Sequence, residues 1–339
     1  MNDNLHVFII AEAGVNHNGD PRLAERLVDA AADAGADAVK FQTFRAEALA
    51  SASAPKAAYQ KMTTNAAESQ LAMLKRLELS PEGHRRALAR ARKRRIQFLS
   101  TPFDKESADF LQKLGVPAFK LPSGEVTNHP LLRHVARKGR PVILSTGMST
   151  LAEVREAVAV LRRAGCRKLT VLHCVSNYPA DPKDANLRAM ATMAKAFRVP
   201  VGWSDHTPGA TASIAAVALG ASVIEKHFTL DKRLPGPDHA MSLDPKELKF
   251  FVAALREASS ALGDGVKAPR PCEAPIRRVA RRSLVLKSSM KKGSILKAAD
   301  LTAKRPGTGL PPSRLAFVVG RRLRRSLPAD RPLRPGDLR

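Results

Sequence analysis

Residues 7–44 read VFIIAEAGVNHNGDPRLAERLVDAAADAGADAVKFQTF, and this stretch decides the fold. It opens on a short apolar run at 7–14, turns at 15–19, and passes through a helical pattern before a second apolar run starts at Ala38. Asp20 can cap a helix whose first position is Pro21, since its carboxylate accepts a free first-turn amide and proline has no amide to leave unpaired. Leu23, Leu27, Val28 and Ala31 form the apolar stripe of that helix, and Gly35 ends it. The same rhythm continues outward. Apolar, β-rich runs recur at 38–44, 97–103, 118–125, 142–148, 169–176, 199–206 and 222–228, each followed by a helical pattern. Eight such units in roughly 260 residues is the arithmetic of a (β/α)8 TIM barrel. A doubly wound sheet would more often carry a glycine-rich dinucleotide turn after its first strand. The turn here is Gly14-Val15-Asn16-His17-Asn18-Gly19, which lacks that spacing.

Two segments break the rhythm. Residues 45–66 form a long Ala/Ser/Thr-rich connection, read as an active-site lid. Residues 263–280, with Pro269, Pro271 and Pro275, read as an interdomain linker between a catalytic domain (1–262) and a small β-rich domain (281–339). Within the latter, 283–286 and 316–319 are expected strands.

Composition bounds the function classes. The chain of 339 residues has 57 Lys+Arg against 31 Asp+Glu, a formal net charge of +26. Residues 266–339 alone hold 20 Lys+Arg and 4 Asp+Glu. Such a tail invites a nucleic-acid or anionic-membrane partner. Only 12 Phe, 2 Tyr and 1 Trp are available for base stacking, and no nucleic-acid motif interleaves the basic residues, so neither partner is expected. Three scattered cysteines make neither a disulfide framework nor a thiolate metal site. No run approaches the roughly 20 apolar residues of a membrane helix. The N-terminus does not read as a signal peptide, and the expected location is the cytoplasm.

The chemistry collects at the C-terminal ends of the expected strands. These carry Glu12, Lys40 and Gln42, Thr101, Lys120 through Glu125, Ser145, His173 to Tyr178, Ser204 to His206, and Glu225 to His227. In a barrel they converge on one mouth. Lys40 and Lys120, among Ser and Thr hydroxyls, suit a phosphate or carboxylate ligand. The bland alternative pairs each lysine with a carboxylate such as Glu12 or Glu125; the sharper one makes Lys120 a Schiff-base aldolase residue. His206 and His227 end adjacent strands and suit a labile Mn2+, Mg2+ or Zn2+. Glu125 could serve as acid/base if its surroundings raise its pKa.

Several motifs carry a resemblance. Ile10-Ala-Glu-Ala-Gly-Val-Asn-His-Asn-Gly19, Val39-Lys-Phe-Gln42, Lys120-Leu-Pro-Ser-Gly-Glu125, Leu144-Ser-Thr-Gly-Met148, Gly202-Trp-Ser-Asp-His206, Glu225-Lys-His-Phe-Thr-Leu230 and Pro235-Gly-Pro-Asp-His239 resemble the sialic acid (N-acetylneuraminate) synthase family. Lys291-Lys-Gly293 and Lys304-Arg-Pro-Gly307 resemble its antifreeze-like (SAF, β-clip) domain. The resemblance implies condensation of phosphoenolpyruvate with N-acetylmannosamine, or a related 2-acetamido sugar, with release of phosphate. Legionaminic or pseudaminic acid synthesis, or a 9-phosphate synthase, is the alternative on the same mechanism. Carried over, His206 and His227 hold Mn2+ or Mg2+, and Glu125 is the acid/base. Lys40, Thr101, Lys120, Ser123, Ser145, Ser204 and either Ser176 or its neighbour Asn177 bind phosphoenolpyruvate. Glu12, Gln42, Tyr178 and Asp238 are sugar-side residues. The resemblance further implies a homodimer in which the small domain caps the other subunit, with Arg305 reaching its sugar.

Overall fold

The computed structural model describes residues 6–65 and 67–339; the first five residues of the expected catalytic domain and Ala66 of the expected lid lie outside them. The chain divides into two compact units, one ending at Asp264 and the other spanning Gly265–Arg339.

The first unit is a (β/α)8 barrel. Its strands are β1 (Phe8–Gly14), β2 (Ala38–Thr43), β3 (Gln97–Pro102), β4 (Phe119–Leu121), β5 (Val142–Ser145), β6 (Leu169–Cys174), β7 (Val201–Asp205) and β8 (Val223–His227). All pair in parallel in the order β3-β2-β1-β8-β7-β6-β5-β4, and β3 lies against β4 to bring the ends of the sheet together. The helix after β1 spans Pro21–Asp33, with Asp20 accepting from the Arg22 amide at its N-terminus. Its buried stripe is Ala24, Leu27, Val28 and Ala31; Leu23 lies only part-buried beside it. Each fully buried leucine of this kind contributes roughly 1.5–3 kcal/mol.

Strand parity organises the interior. Ile10, Ala38, Leu99, Ile143, Leu172 and Val223, with Ala118 packed against them, form an apolar plug inside the barrel. Gly202 completes this level because nothing larger fits: a Cβ there would lie 2.2 Å from the Val223 carbonyl oxygen and 2.7 Å from Leu172 Cδ2. Successive strand residues alternate faces, so the residue two positions on from each plug member also points inward, one level higher. Those residues are Glu12, Lys40, Thr101, Lys120, Ser145, Cys174, Ser204 and Glu225.

The lid expected at 45–66 contains two short helices, Ala46–Leu49 and Ala58–Thr63. In the second unit, β9 (Ser283–Leu286) pairs antiparallel with β10 (Leu301–Lys304), Leu286 opposite Leu301. The strand expected at 316–319 is instead a helical turn, Leu315–Val318, which buries only Val318. A four-residue apolar run has too few positions to reveal its period. The stretch read as linker holds an exposed helix, Ala274–Ala280.

Candidate active site

The inward layer above the plug is almost wholly polar, and it forms the floor of a mouth cavity of about 280 Å³. Two ammonium groups and two carboxylates meet there. Lys40 Nζ lies 2.6 Å from Glu12 Oε2, donates to Thr101 Oγ1 at 3.0 Å, and stands 3.8 Å from Glu225 Oε1. Lys120 Nζ lies 3.2 Å from the same Glu225 oxygen, which also accepts from Ser204 at 3.1 Å. The lysines are therefore paired with carboxylates of their own layer, Glu12 and Glu225, and not with Glu125.

The environment separates these two carboxyls. Burial pushes Glu12 up to about 7, with Lys40 opposing and Glu225 reinforcing the rise. Burial would raise Glu225 as well, but Lys120 and Lys40 together hold it down at about 2. Lys120 is lowered by burial against the pull of Glu225. An anion entering this layer meets two cations already present, and Glu12, close to neutrality, can take a proton as the balance of charge changes.

The next inward level carries Gln42, Phe103, Pro122, Gly147, Ser176, His206 and His227. Gln42 Nε2 approaches Glu12 Oε1 at 3.5 Å. Ser123 Oγ accepts from the Gly147 amide at 2.8 Å, and a Cβ on Gly147 would lie 2.2 Å from Ser176 Oγ, so a larger residue would push that hydroxyl out of its place. Ser145 Oγ is buried with no partner, a hydroxyl aimed at whatever fills the cavity. Of the two residues left open, Ser176 lines the cavity and Asn177 is exposed outside it.

His206 and His227 stand with ring centroids 5.6 Å apart. His206 Nδ1 lies 2.6 Å from the Val175 carbonyl oxygen; donating there would leave Nε2 as a lone-pair donor. His227 Nδ1 is buried with no partner. Burial, reinforced by His206 and Lys40, holds His227 well below the usual imidazole range, so it is neutral. A neutral imidazole with an unpaired ring nitrogen, as at His227, suits a metal. At His206 burial is outweighed by the Cys174 sulfur, 3.8 Å from Nδ1, and by the Val175 carbonyl, which raise its pKa. Among the described residues no third His, Cys, Asp or Glu completes a cluster, so a divalent ion held here would keep its other positions for water or substrate.

The remaining expected residues are distributed around this centre. Tyr178 lines the cavity, its ring centroid 4.0 Å from that of His206. Asp238 is buried outside the cavity lining, and burial pushes its carboxyl up to about 6, with His206 opposing. Glu125 sits on a 3-10 turn at the rim and accepts from Asn128 at 2.6 Å. It too lies outside the lining, and burial raises its pKa against that hydrogen bond. Arg305 is exposed in the second unit. His173 is structural, its Nε2 2.8 Å from the Ala185 carbonyl oxygen. Sequence reasoning gave no role to Glu225, Cys174 or Phe103, all of which line the cavity. Parity could have found them: if His227 points inward, so does the residue two before it.

Comparison with known proteins adds a second line of observation. The NeuB family matches residues 27–267 and the SAF domain matches residues 281–339. The chain is 51% identical over 326 residues to the N,N'-diacetyllegionaminic acid synthase of Legionella pneumophila, covering 95% of this chain and 92% of that one. It is 49% identical to the N,N'-diacetyllegionaminic acid synthase of Campylobacter jejuni, covering 93% and 95%. Among solved structures, the N-acetylneuraminic acid synthetase of Leptospira borgpetersenii in complex with citrate superposes with a TM-score of 0.70. That pair shares 36% identity over 80% of this chain and 90% of the other.

Proposed function

The chain belongs to the NeuB family, and from that premise we propose that it condenses phosphoenolpyruvate with a diacetamido sugar aldehyde to make a nonulosonic acid of the legionaminic class. This reverses the order of preference drawn from motifs alone, which placed N-acetylneuraminate first. Relatives named for N,N'-diacetyllegionaminic acid stand at 51% and 49% identity, against 36% for the sialic acid synthetase structure. The observation that carries the reaction class is the juxtaposition, in one mouth, of a two-lysine anion layer and a pair of imidazoles directly above it.

On this reading Lys40 and Lys120 neutralise phosphoenolpyruvate, with Thr101, Ser123, Ser145, Ser176 and Ser204 supplying hydroxyls to its oxygens. A divalent ion such as Mn2+ or Mg2+ held by His206 and His227 would supply Lewis-acid polarisation of the sugar aldehyde. C3 of phosphoenolpyruvate bonds to the aldehyde carbon, whose oxygen gains a proton. Water adds at C2 and loses one proton; the C2–O bond to phosphate then breaks while the remaining hydroxyl proton leaves with the phosphate, giving the ketone. Glu125, with its raised pKa, is the candidate for moving these protons. Glu12, Gln42 and Tyr178 would face the sugar from the lining, and Asp238 would reach it from behind that lining. Arg305 of a second subunit would close the mouth in a homodimer.

The test is phosphate release from phosphoenolpyruvate with a panel of sugars. The expected result is release that chelation abolishes, with kcat/KM for the diacetamido sugar about tenfold or more above that for N-acetylmannosamine. Glu125→Gln should lower kcat by roughly a hundredfold or more and leave KM for phosphoenolpyruvate near its original value. Preference for N-acetylmannosamine would overturn the legionaminic assignment. No release with any acetamido sugar would overturn the reaction.

A further inference from the structure

The segment read as a lid is seated against the sugar side of the mouth. Thr63 Oγ1, at the end of the helix Ala58–Thr63, lies 3.0 Å from the Tyr59 carbonyl of its own turn and 3.2 Å from the Pro237 carbonyl, so its one proton is shared between the two. Lys56, just before that helix, is buried and donates to Thr64 Oγ1 at 3.0 Å and to the Asn65 carbonyl at 2.6 Å. Lys56 thus ties the lid to itself, and Thr63 sets the end of the helix beside the loop that carries Asp238. On its inner side Tyr59 lays its ring against Tyr178, centroids 5.1 Å apart and planes inclined 31°. Tyr178 in turn lies against His206 at 4.0 Å. The order His206, Tyr178, Tyr59 therefore leads from the imidazole pair out to the lid.

Two polar groups along this line have capacity to spare. The Tyr59 hydroxyl has one partner, Gln60 Nε2 at 3.5 Å, the outer limit for a hydrogen bond. Asp238 is largely buried; the Ser242 hydroxyl donates to its main-chain carbonyl at 2.6 Å, and its carboxylate makes no hydrogen bond among the described residues. A free hydroxyl donor, a free carboxylate acceptor and two aromatic faces are the complement of one group in particular. An acetamido substituent has a carbonyl to accept from the phenol, an N–H to donate to the carboxylate, and a methyl to lie on a ring. A plain hydroxyl would satisfy part of the polar set and none of the apolar one.

We infer that Tyr59 is a specificity-determining residue, which together with Asp238 reads an acetamido group carried on a sugar carbon remote from the aldehyde. The inference rests on the reaction proposed above and adds to it the residue that selects the sugar. The aldehyde end is fixed by the imidazole pair, so the group that arrives at Tyr59 is carried further along the chain.

The experiment compares kcat/KM for the diacetamido sugar and for N-acetylmannosamine in the wild type, Tyr59→Phe and Tyr59→Ala, with phosphate release as readout. Tyr59→Ala should lower the value for the diacetamido sugar about tenfold or more and that for N-acetylmannosamine less than about threefold. KM for phosphoenolpyruvate should stay unchanged. Tyr59→Phe keeps the ring and should give an intermediate loss confined to the diacetamido sugar, which preserves the test if the alanine variant fails to fold. If the wild type accepts only the diacetamido sugar, the expected effect is a rise in KM for that sugar; a fall in kcat at constant KM would overturn the inference. Equal losses with both sugars would make Tyr59 only a support for Tyr178 and overturn it as well. A wild type that releases no phosphate with either sugar overturns the reaction itself, and the inference with it.

Discussion

His17 shows how far one buried side chain can govern the chain's response to pH. It is fully buried, its Nδ1 accepts from the Gly19 amide at 2.9 Å, and its Nε2 meets no partner. Burial, with a smaller contribution from His84, lowers it from 6.5 to about 3. Between those values the unfolded chain binds a proton that the folded chain does not. The stability this group contributes is therefore present above pH 6.5 and is lost as pH falls towards 3, by up to about 1.4 kcal/mol per pH unit. Denaturant unfolding of His17→Gln at pH 4 to 7 should show an acid limb shallower by one proton's worth; an unchanged slope would place the loss on other groups. At this scale the site was partly legible. Lys40, Lys120 and the His206–His227 pair stood out because charges at buried strand ends demand a reason. Glu225 did not, because the run Glu225-Lys226-His227 is polar throughout and does not itself show which of its residues face inward. The structure sends Glu225 and His227 inward and Lys226 outward, where its ammonium lies 3.0 Å from Asp205 behind the barrel wall.

Elements were legible where their period had room to show itself. All eight barrel strands fall within the runs expected for them, because each run is buried on both faces and bounded by turn residues. The helices Pro21–Asp33 and Pro81–Arg94 show what the apolar pattern left out. Three ion pairs, Arg86–Glu25, Arg90–Asp29 and Arg94–Asp33, stitch them together one helical turn apart. Each pair joins residues 61 apart in the chain, so no local rule could foresee them. Where the run was short, as at 316–319, strand and helix could not be told apart. Gly202 belongs to this scale because it governs how β7 lies against its neighbours. A methyl there must displace the Val223 backbone, which a flexible side chain could not relieve. Gly202→Ala is expected to cost about 1–3 kcal/mol, the range of overpacked cores. Urea unfolding would read this as a lower midpoint at constant slope, whereas an unshifted midpoint would mean that β7 and β8 separate without cost.

At the scale of the whole molecule, the question is what a formal charge of +26 does. The second unit needs little of it for its fold: nine leucines and Val318 make its core, and Lys304–Asp330 and Arg325–Asp337 are among its few ion pairs. Most of its basic side chains are exposed. No helix among the described residues is long and apolar enough to cross a membrane. A surface field of one sign raises the local concentration of an oppositely charged substrate, and salt removes that advantage because the screening length falls to about 10 Å at 0.1 M. The proposed first substrate is a small multivalent anion and the proposed second is a neutral sugar, so the two should respond differently. Raising the salt from 0.05 to 0.5 M should lower kcat/KM for phosphoenolpyruvate by roughly three- to tenfold. The value for the sugar, measured at saturating phosphoenolpyruvate, should hardly move, and neither should kcat. The comparison separates steering from a general effect of salt on the enzyme, which would depress both. A flat response for phosphoenolpyruvate would mean that the paired Lys40 and Lys120, deep in the mouth, act on the anion without help from the surface. The charge of the tail would then be a solvated Arg-rich surface unless the protein retained DNA in a way that weakens steeply between 50 and 200 mM salt, the signature of a macromolecular polyanion.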